Sequence, residues 1–142
     1  MKVTEETKAT AQRALDYFTA HPERHVQSAW FQHLGDDNDN LRYDTENGWE
    51  RLNPAEPGKE VNLCNTTMCV AGLVQWQSQG YIDAQTVDDV AASLLGLNDE
   101  EQEMLFLWTS DQDAIDCLIA IANGDQNKLD AILGDYTDEL DS

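Results

Sequence analysis

The amino-acid sequence predicts a mainly α-helical fold, a compact domain of five to six helices with one small β-hairpin. Three observations support this prediction. Apolar residues recur at helical spacing in several segments. Residues suited to cap the start of a helix, and glycines suited to end one, separate these segments. An Asn47-Gly48 pair joins two short segments of strand-like composition.

The length and composition indicate a single domain. With 142 residues and 41% apolar content, the chain is long enough for one hydrophobic core and short for two. We expect a globular domain over residues 1–134, followed by an acidic tail over residues 135–142 whose charge and terminal position favour mobility. The first residues lack the apolar run of a signal peptide, and no stretch of 18 apolar residues occurs, so we expect a cytoplasmic protein without membrane contact.

The first predicted element is a helix over residues 5–20. Thr4 is suited to cap its start, and His21-Pro22 is suited to end it. The next segment, residues 22–31, is compatible with either a short helix or an extended chain, and both alternatives remain open.

A β-hairpin follows, with strands over residues 41–46 and 49–53. If Asn47 and Gly48 are its two loop residues, the register of the strands is determined. The register creates one apolar and one opposite-charge cross-strand pair, Tyr43 with Leu52 and Asp44 with Arg51.

The second half of the chain predicts five helices. They cover residues 67–79, 86–95, 99–108, 111–123 and 126–133, with caps at Thr66 or Asn65, Asn98 and Ser110, and with ends at Gly80, Gly96, Gly124 and Gly134. The first of them is apolar on every side in its first half, so we expect it to be the central helix. Gly72 within it costs about 1 kcal/mol relative to alanine, a cost that close packing of a neighbouring helix would offset.

Four tryptophans are expected to lie mostly in the core, which is the usual place for so large a ring. They are Trp30, Trp49, Trp76 and Trp108. Trp49 has an alternative interpretation as an exposed anchor, because it stands beside the predicted hairpin turn.

The charge is large and unevenly placed. The formal net charge is −20, and all of it arises from residues 35–142, because residues 1–34 contain equal numbers of acids and bases. Between Lys59 and Lys128, 68 consecutive residues contain twelve acids and no lysine or arginine. Adaptation to high salt would acidify the whole surface, so it explains this pattern poorly. The negative field repels nucleic acid and anionic membranes and favours a basic partner.

Helix starts explain part of the acidity, because the helix dipole favours carboxylates in the first turn by about 0.3–1 kcal/mol each. The same rule favours bases at helix ends, where this chain has glutamines and apolar residues instead. We therefore predict an acidic interaction surface formed by Asp88, Asp89, Asp99, Glu100, Glu103, Asp113 and Asp116. Mimicry of nucleic acid is the sharper form of this hypothesis, since a charged helix face would compete for proteins that bind phosphates.

The cysteines suggest two alternatives to a pure binding function. Cys64, Cys69 and Cys117 are candidate metal ligands, with His25 or His33 completing the set, but no second close pair of ligands is present. Burial as small apolar residues explains Cys69 and Cys117 better. Activation of Cys64 by a helix start and a histidine would instead make a cysteine-dependent enzyme.

An acidic loop, residues 36–40, has the composition of a calcium site. Aligned with an EF-hand loop from Asp36, it has Leu41 at the required glycine position and Asn47 at the bidentate glutamate position. We therefore interpret it as a solvated loop.

Several stretches resemble a family of small proteins of uncharacterised function from actinobacteria and their phages. The resemblance is carried by Cys64 to Gly72, with its Cys-x-Thr-x-x-Cys-x-Ala-Gly pattern, by Val87 to Phe106, and by His21 to Arg24 ahead of Trp30. It covers roughly residues 10–125 and departs at Leu73, where a tryptophan is frequent. It implies a phage or actinobacterial origin and no particular activity.

The sequence predicts a non-enzymatic acidic interaction protein, and the resemblance implies that it is phage-encoded and engages a host protein in the host cytoplasm. A basic nucleic-acid-binding protein is the expected kind of partner, with no direct contact to nucleic acid and no cofactor. A structural or metal-stabilised accessory protein is the alternative, followed by the cysteine-dependent enzyme. Neither the identity of the partner nor an oligomeric state follows from the sequence.

Overall fold

The computed structural model describes residues 1–33, 41–46, 48–54 and 66–140. In chain order its elements are α1 (Glu5–Ala20), a 3-10 turn (Pro22–Arg24), β1 (Phe31–His33), β2 (Leu41–Glu46), β3 (Trp49–Pro54), β4 (Thr66–Met68), α2 (Val70–Gln79), β5 (Ile82–Asp83), α3 (Val87–Leu95), α4 (Asp99–Glu103), a π turn (Met104–Trp108), α5 (Asp111–Ala122) and α6 (Gln126–Leu140). The predicted class, mainly α with a minor β component, is confirmed.

The start of α1 shows how closely local sequence determines these elements. The Thr4 hydroxyl accepts a hydrogen bond from the Thr7 N–H, and the Thr7 hydroxyl accepts one from the Thr4 N–H. This reciprocal capping satisfies two backbone donors that the helix itself leaves free. The predicted helix and its cap are both confirmed.

The predicted hairpin is also confirmed, including its register. Tyr43 faces Leu52 and Asp44 faces Arg51. Asp44 Oδ2 lies 2.9 Å from Nε of Arg42 on the same strand. Nε of Arg51 lies 3.8 Å from a carboxylate oxygen of Asp83 on β5. β5 extends the hairpin to a three-stranded antiparallel sheet.

A second pair of strands, β1 with β4, replaces the predicted first turn of the central helix. Residues 66–68 are extended and pair antiparallel with residues 31–33, so α2 begins at Val70 and the predicted start at Thr67 is wrong. Consecutive β-branched threonines suit a strand better than a helix start. Cys69 is the actual N-cap, and its Sγ accepts a hydrogen bond from the Gly72 N–H at 3.4 Å.

Of the glycines predicted to end helices, three do so and one does not. Gly80, Gly96 and Gly124 have φ angles of 77°, 74° and 66°, the left-handed conformation in which glycine ends a helix. Gly134 is not among the positive-φ glycines of the described residues, and α6 continues through it to Leu140. The prediction that this helix ends at Gly134 is therefore wrong.

The core lies around α2, as predicted. Its first six residues, Val70–Gln75, are all buried. α1 packs against α2, α3 and α5, and α6 packs against α5 and the π turn. This arrangement leaves one side of α3, α4 and the π turn facing solvent, where the candidate site lies.

Candidate functional site

Four of the predicted surface acids line one cavity. α3 packs against α4, which brings Asp88 and Asp89 of α3 to the same opening as Asp99 and Glu103 of α4. The cavity has a volume of about 270 Å³, and its remaining lining residues are Gln102, Phe106 and Leu107. Asp89, Asp99 and Glu103 are exposed, and Asp88 is half-buried. We call this opening the acidic cavity.

The other three predicted acids lie apart from this cavity. Glu100 is exposed on α4 but does not line the acidic cavity. Asp113 and Asp116 are on α5, where they flank the buried Cys117. The predicted interaction surface therefore divides into a cavity-lining group and separate carboxylates.

Glutamine amides take the place of bases beside several carboxylates. Nε2 of Gln102 donates to Asp89 Oδ1 at 3.0 Å, which joins α4 to α3. On α5, Nε2 of Gln112 donates to Asp116 Oδ1 at 3.1 Å. A neutral amide satisfies a carboxylate oxygen without cancelling its charge, whereas lysine or arginine would cancel it. The glutamines thus hold the acids in place and leave the negative field intact.

The π turn beside the acidic cavity exposes two large apolar side chains. Leu107 is 62% exposed and Trp108 is 48% exposed, while Met104, Leu105 and Phe106 are buried. A π turn contains more residues per turn than an α-helix, so Trp108 does not come round onto the buried face of Met104 and Leu105.

The prediction of a buried Trp108 is therefore wrong, because it assumed a regular α-helix to residue 108. Trp30 and Trp76 do pack against the core, partly buried. Trp49 is 46% exposed, as the alternative interpretation of that residue predicted. The signal that sequence reasoning missed was the run of five apolar residues, 104–108, which is too continuous for one buried helix face.

A second cavity, of about 290 Å³, opens on the other side of Leu107. Its lining residues are Gln27, Ser28, Ala29, Trp30, Phe31, Glu50, Phe106 and Leu107. Phe106 and Leu107 line both this cavity and the acidic cavity, so they form the wall between the two.

Gln27 holds the π turn in place. Its side chain is buried, and its Nε2 donates to the Leu105 carbonyl at 3.1 Å. The Thr109 hydroxyl donates to the same carbonyl at 2.5 Å. The Oε1 of Gln27 accepts the Val70 N–H at 3.2 Å, which connects the π turn to the start of α2. The wide turn is therefore held by Gln27 from a distant part of the chain and by Thr109, the residue that follows the turn.

His25 and Asp111, which line a third cavity, also hold Gln27. The His25 Nε2 lies 3.0 Å from Gln27 Oε1, and Asp111 Oδ1 accepts the Gln27 N–H at 2.7 Å. A histidine and an aspartate in one cavity suggest acid–base chemistry, but these hydrogen bonds give both a positioning role.

The described cysteines are buried thiols. Burial raises the pKa of Cys69 to about 11, although hydrogen bonds from Gly72 and Ala71 partly oppose the shift. Burial, together with the charges of Asp113 and Asp116, raises the pKa of Cys117 to about 12. Thiols with such values carry little thiolate at neutral pH and are poor nucleophiles.

We expect iodoacetamide to react more slowly in the folded protein than in urea, by about a hundredfold at Cys69 and about a thousandfold at Cys117, since each pKa unit reduces the thiolate tenfold. Mass spectrometry of the separate peptides after timed labelling measures these rates. Equal rates in the folded and unfolded chains would contradict the burial of these residues. Fast, selective labelling of Cys64 in the same experiment would favour the cysteine-dependent enzyme.

Two sequence-based candidates lie outside the described residues. These are Cys64 and the calcium-like loop of residues 36–40. Over the ranges that the structure describes, no group of three or more His, Cys, Asp or Glu residues is arranged to hold a metal ion. Within the same ranges, no helix has the length and apolar character needed to cross a membrane.

No family model, curated protein or solved structure matches this chain.

Proposed function

We propose that this protein acts by binding, through the acidic cavity and its surroundings, to a basic partner protein. The observation that carries the proposal is the alignment of Asp88, Asp89, Asp99 and Glu103 around one opening beside an exposed leucine. Following the resemblance, the partner is a host protein in the cytoplasm of an actinobacterial cell. A basic nucleic-acid-binding protein fits this charge best, and mimicry of nucleic acid is the finer form of the proposal.

Folding alone does not account for the missing bases. A lysine in place of Gln102 would still donate a hydrogen bond to Asp89, and it would relieve repulsion among the neighbouring carboxylates. Because the amide is neutral, the repulsion among the carboxylates remains, and the acids keep a negative electrostatic potential that faces the solvent. Such a potential accelerates association with basic partners and suppresses association with acidic ones.

Gln102→Lys tests the proposal with one added charge. We expect enrichment of basic nucleic-acid-binding proteins from an actinobacterial lysate to fall about fivefold, corresponding to about 1 kcal/mol for one close charge in water. Quantitative mass spectrometry of the captured proteins measures the change. The matched control is Gln12→Lys on α1, where Nε2 of Gln12 donates to Asp16 at 2.7 Å on a different surface.

Salt and DNA give two further readouts of the same capture. Raising the ionic strength from about 0.1 M to about 1 M shortens the Debye length from about 10 Å to about 3 Å, so the basic proteins should be lost. Added duplex DNA should release them if the surface mimics nucleic acid. Capture that persists at high salt would contradict binding through this surface, and so would an equal loss of captured proteins with Gln12→Lys. Capture that persists in the presence of DNA would contradict only the mimicry of nucleic acid.

A further inference from the structure

We infer that Leu107 and Trp108 form an apolar docking site for an amphipathic, basic segment of the partner, with the acidic cavity receiving the lysines or arginines of that segment. The inference rests on the proposed function, because it names the part of the surface that the partner contacts and the chemistry of the segment that contacts it.

The first support is the exposure of two adjacent large apolar side chains. Leu107 and Trp108 are 62% and 48% exposed, although the three residues before them are buried. Adjacent exposed side chains of this size commonly mark an interaction site, whereas single exposed apolar residues are normal. Tryptophan is also strongly enriched among the residues that dominate binding energy at protein interfaces.

The second support is the rigidity of their presentation. The Leu105 carbonyl, two residues before Leu107, accepts hydrogen bonds from Gln27, which is distant in the chain, and from Thr109, which follows the turn. π turns of this kind are frequent at functional sites. A surface that is ordered before binding loses less conformational entropy when the partner arrives.

The third support is the chemistry on the two sides of the apolar wall. Leu107 stands between the acidic cavity and the second cavity, which is lined mainly by uncharged residues with Glu50 as its acid. With volumes of about 270 and 290 Å³, both lie near the lower end of the pocket range, about 300 Å³. Cavities of this size suit side chains of a partner segment. The segment that fits has apolar side chains for Leu107 and Trp108 and basic side chains for the acidic cavity.

Charge argues against a second copy of this chain as the occupant. The copy would place its own acidic cavity against the first, and residues 60–127 of each copy contain no lysine or arginine to compensate. The whole-chain charge of −20 opposes self-association in the same way. A basic segment of another protein carries the complementary charge.

Two synthetic peptides separate the apolar contribution from the charge. The first is an amphipathic helix with leucines on one face and lysines on the other, and the second keeps the lysines but has glutamine in place of every leucine. Fluorescence anisotropy of labelled peptides measures their affinities for the whole protein. We expect the wild-type protein to bind the leucine peptide about tenfold more tightly than the glutamine peptide.

The variant Leu107→Gln with Trp108→Gln should lose this preference and bind both peptides with the wild-type affinity for the glutamine peptide. Val3→Gln is the control, because Val3 is an apolar residue that is 46% exposed near the start of the chain. It should keep the preference. Circular dichroism verifies that each variant is folded, and Leu107→Gln alone replaces the double variant if that one unfolds.

The outcomes distinguish this inference from the proposed function. Equal wild-type affinities for both peptides, or a preference that survives in the Leu107 and Trp108 variant, would overturn the docking site and leave charge-based binding intact. Absence of binding to either peptide at low salt would overturn both proposals. A wild-type homodimer in sedimentation that these substitutions dissociate would identify a second copy as the occupant and overturn the inference.

Discussion

Replacing Glu101 by glutamine should lower the free energy of unfolding by about 3 kcal/mol at neutral pH, since removing one partner of a buried ion pair leaves the other uncompensated. Glu101 is 5% exposed, and its Oε1 lies 3.1 Å from the Met1 α-amino group. The same oxygen accepts the Asn98 N–H, and Oε2 accepts the Gln126 amide at 3.0 Å. One carboxylate thus joins the first residue to the starts of α4 and α6. Urea unfolding of both proteins measures the loss.

The effect of this substitution should depend on pH in a defined direction. Burial favours the neutral acid, but hydrogen bonds from Asn98, Gln126 and the Met1 amine, with the charge of that amine, lower the pKa of Glu101 below its usual 4.5. A lowered pKa means that the carboxylate stabilises the fold above pH 4.5, and that this stabilisation disappears as the pH falls through the folded-state pKa. The stability difference between wild type and Glu101→Gln should therefore shrink below pH 4.5.

Glu100→Gln is the control for both measurements. Glu100 is the preceding residue in the same helical turn, but it is exposed, so its substitution should change stability by about 0.5 kcal/mol or less. Equal losses for the two substitutions, or a Glu101 difference that persists unchanged in acid, would show that the buried ion pair does not stabilise the fold.

Local signals in the sequence predict most helix boundaries of this fold. Thr4, Asn98 and Ser110 cap helices because each hydroxyl or amide oxygen meets backbone donors three residues ahead. Gly80 and Gly96 end helices because both adopt the left-handed conformation. The same reasoning fails where tertiary contacts decide.

Tertiary contacts explain the specific errors. Residues 66–68 form a strand because β1 pairs with them, and no local signal identifies a partner more than thirty residues away. Trp108 is exposed on a π turn, and the Leu105 carbonyl of this turn accepts a hydrogen bond from Gln27, 78 residues away in the chain. Glu101 looks like one more first-turn acid, although Asn98 three residues earlier is the sequence signature of a capping box.

The candidate site also has a part that local sequence signals predict and a part that depends on tertiary contacts. Asp88, Asp89, Asp99 and Glu103 are predictable as surface acids from helix positions alone. Their convergence on one cavity depends on how α3 packs against α4, which the sequence does not specify. The exposed apolar residues of the site, Leu107 and Trp108, depend on the π turn. The pattern of charges in the sequence therefore predicts only the acidic residues of the site.

Gly72→Ala should destabilise the protein by about 3 kcal/mol, at the upper end of the usual cost of overpacking. A Cβ at this position would lie 2.1 Å from the Trp30 carbonyl oxygen and 3.2 Å from the carbonyl carbon. The close neighbour is thus a loop backbone, whereas the sequence predicts another helix there. That loop cannot move away cheaply, because the Ala29 carbonyl accepts the Cys69 N–H at 3.2 Å. Urea unfolding measures the cost.

Gly134→Ala provides the matched comparison, since Gly134 is also helical but has no atom within 4 Å of the position that a Cβ would occupy. It should gain up to about 1 kcal/mol from helix propensity, the same gain that Gly72→Ala receives before the clash is added. The two variants should therefore differ in sign. Because Trp30 lines the second cavity, the displaced loop should also weaken binding of the leucine peptide while leaving the glutamine peptide unaffected. Stabilisation by both alanines would mean that Trp30 does not approach α2 as closely as this packing requires.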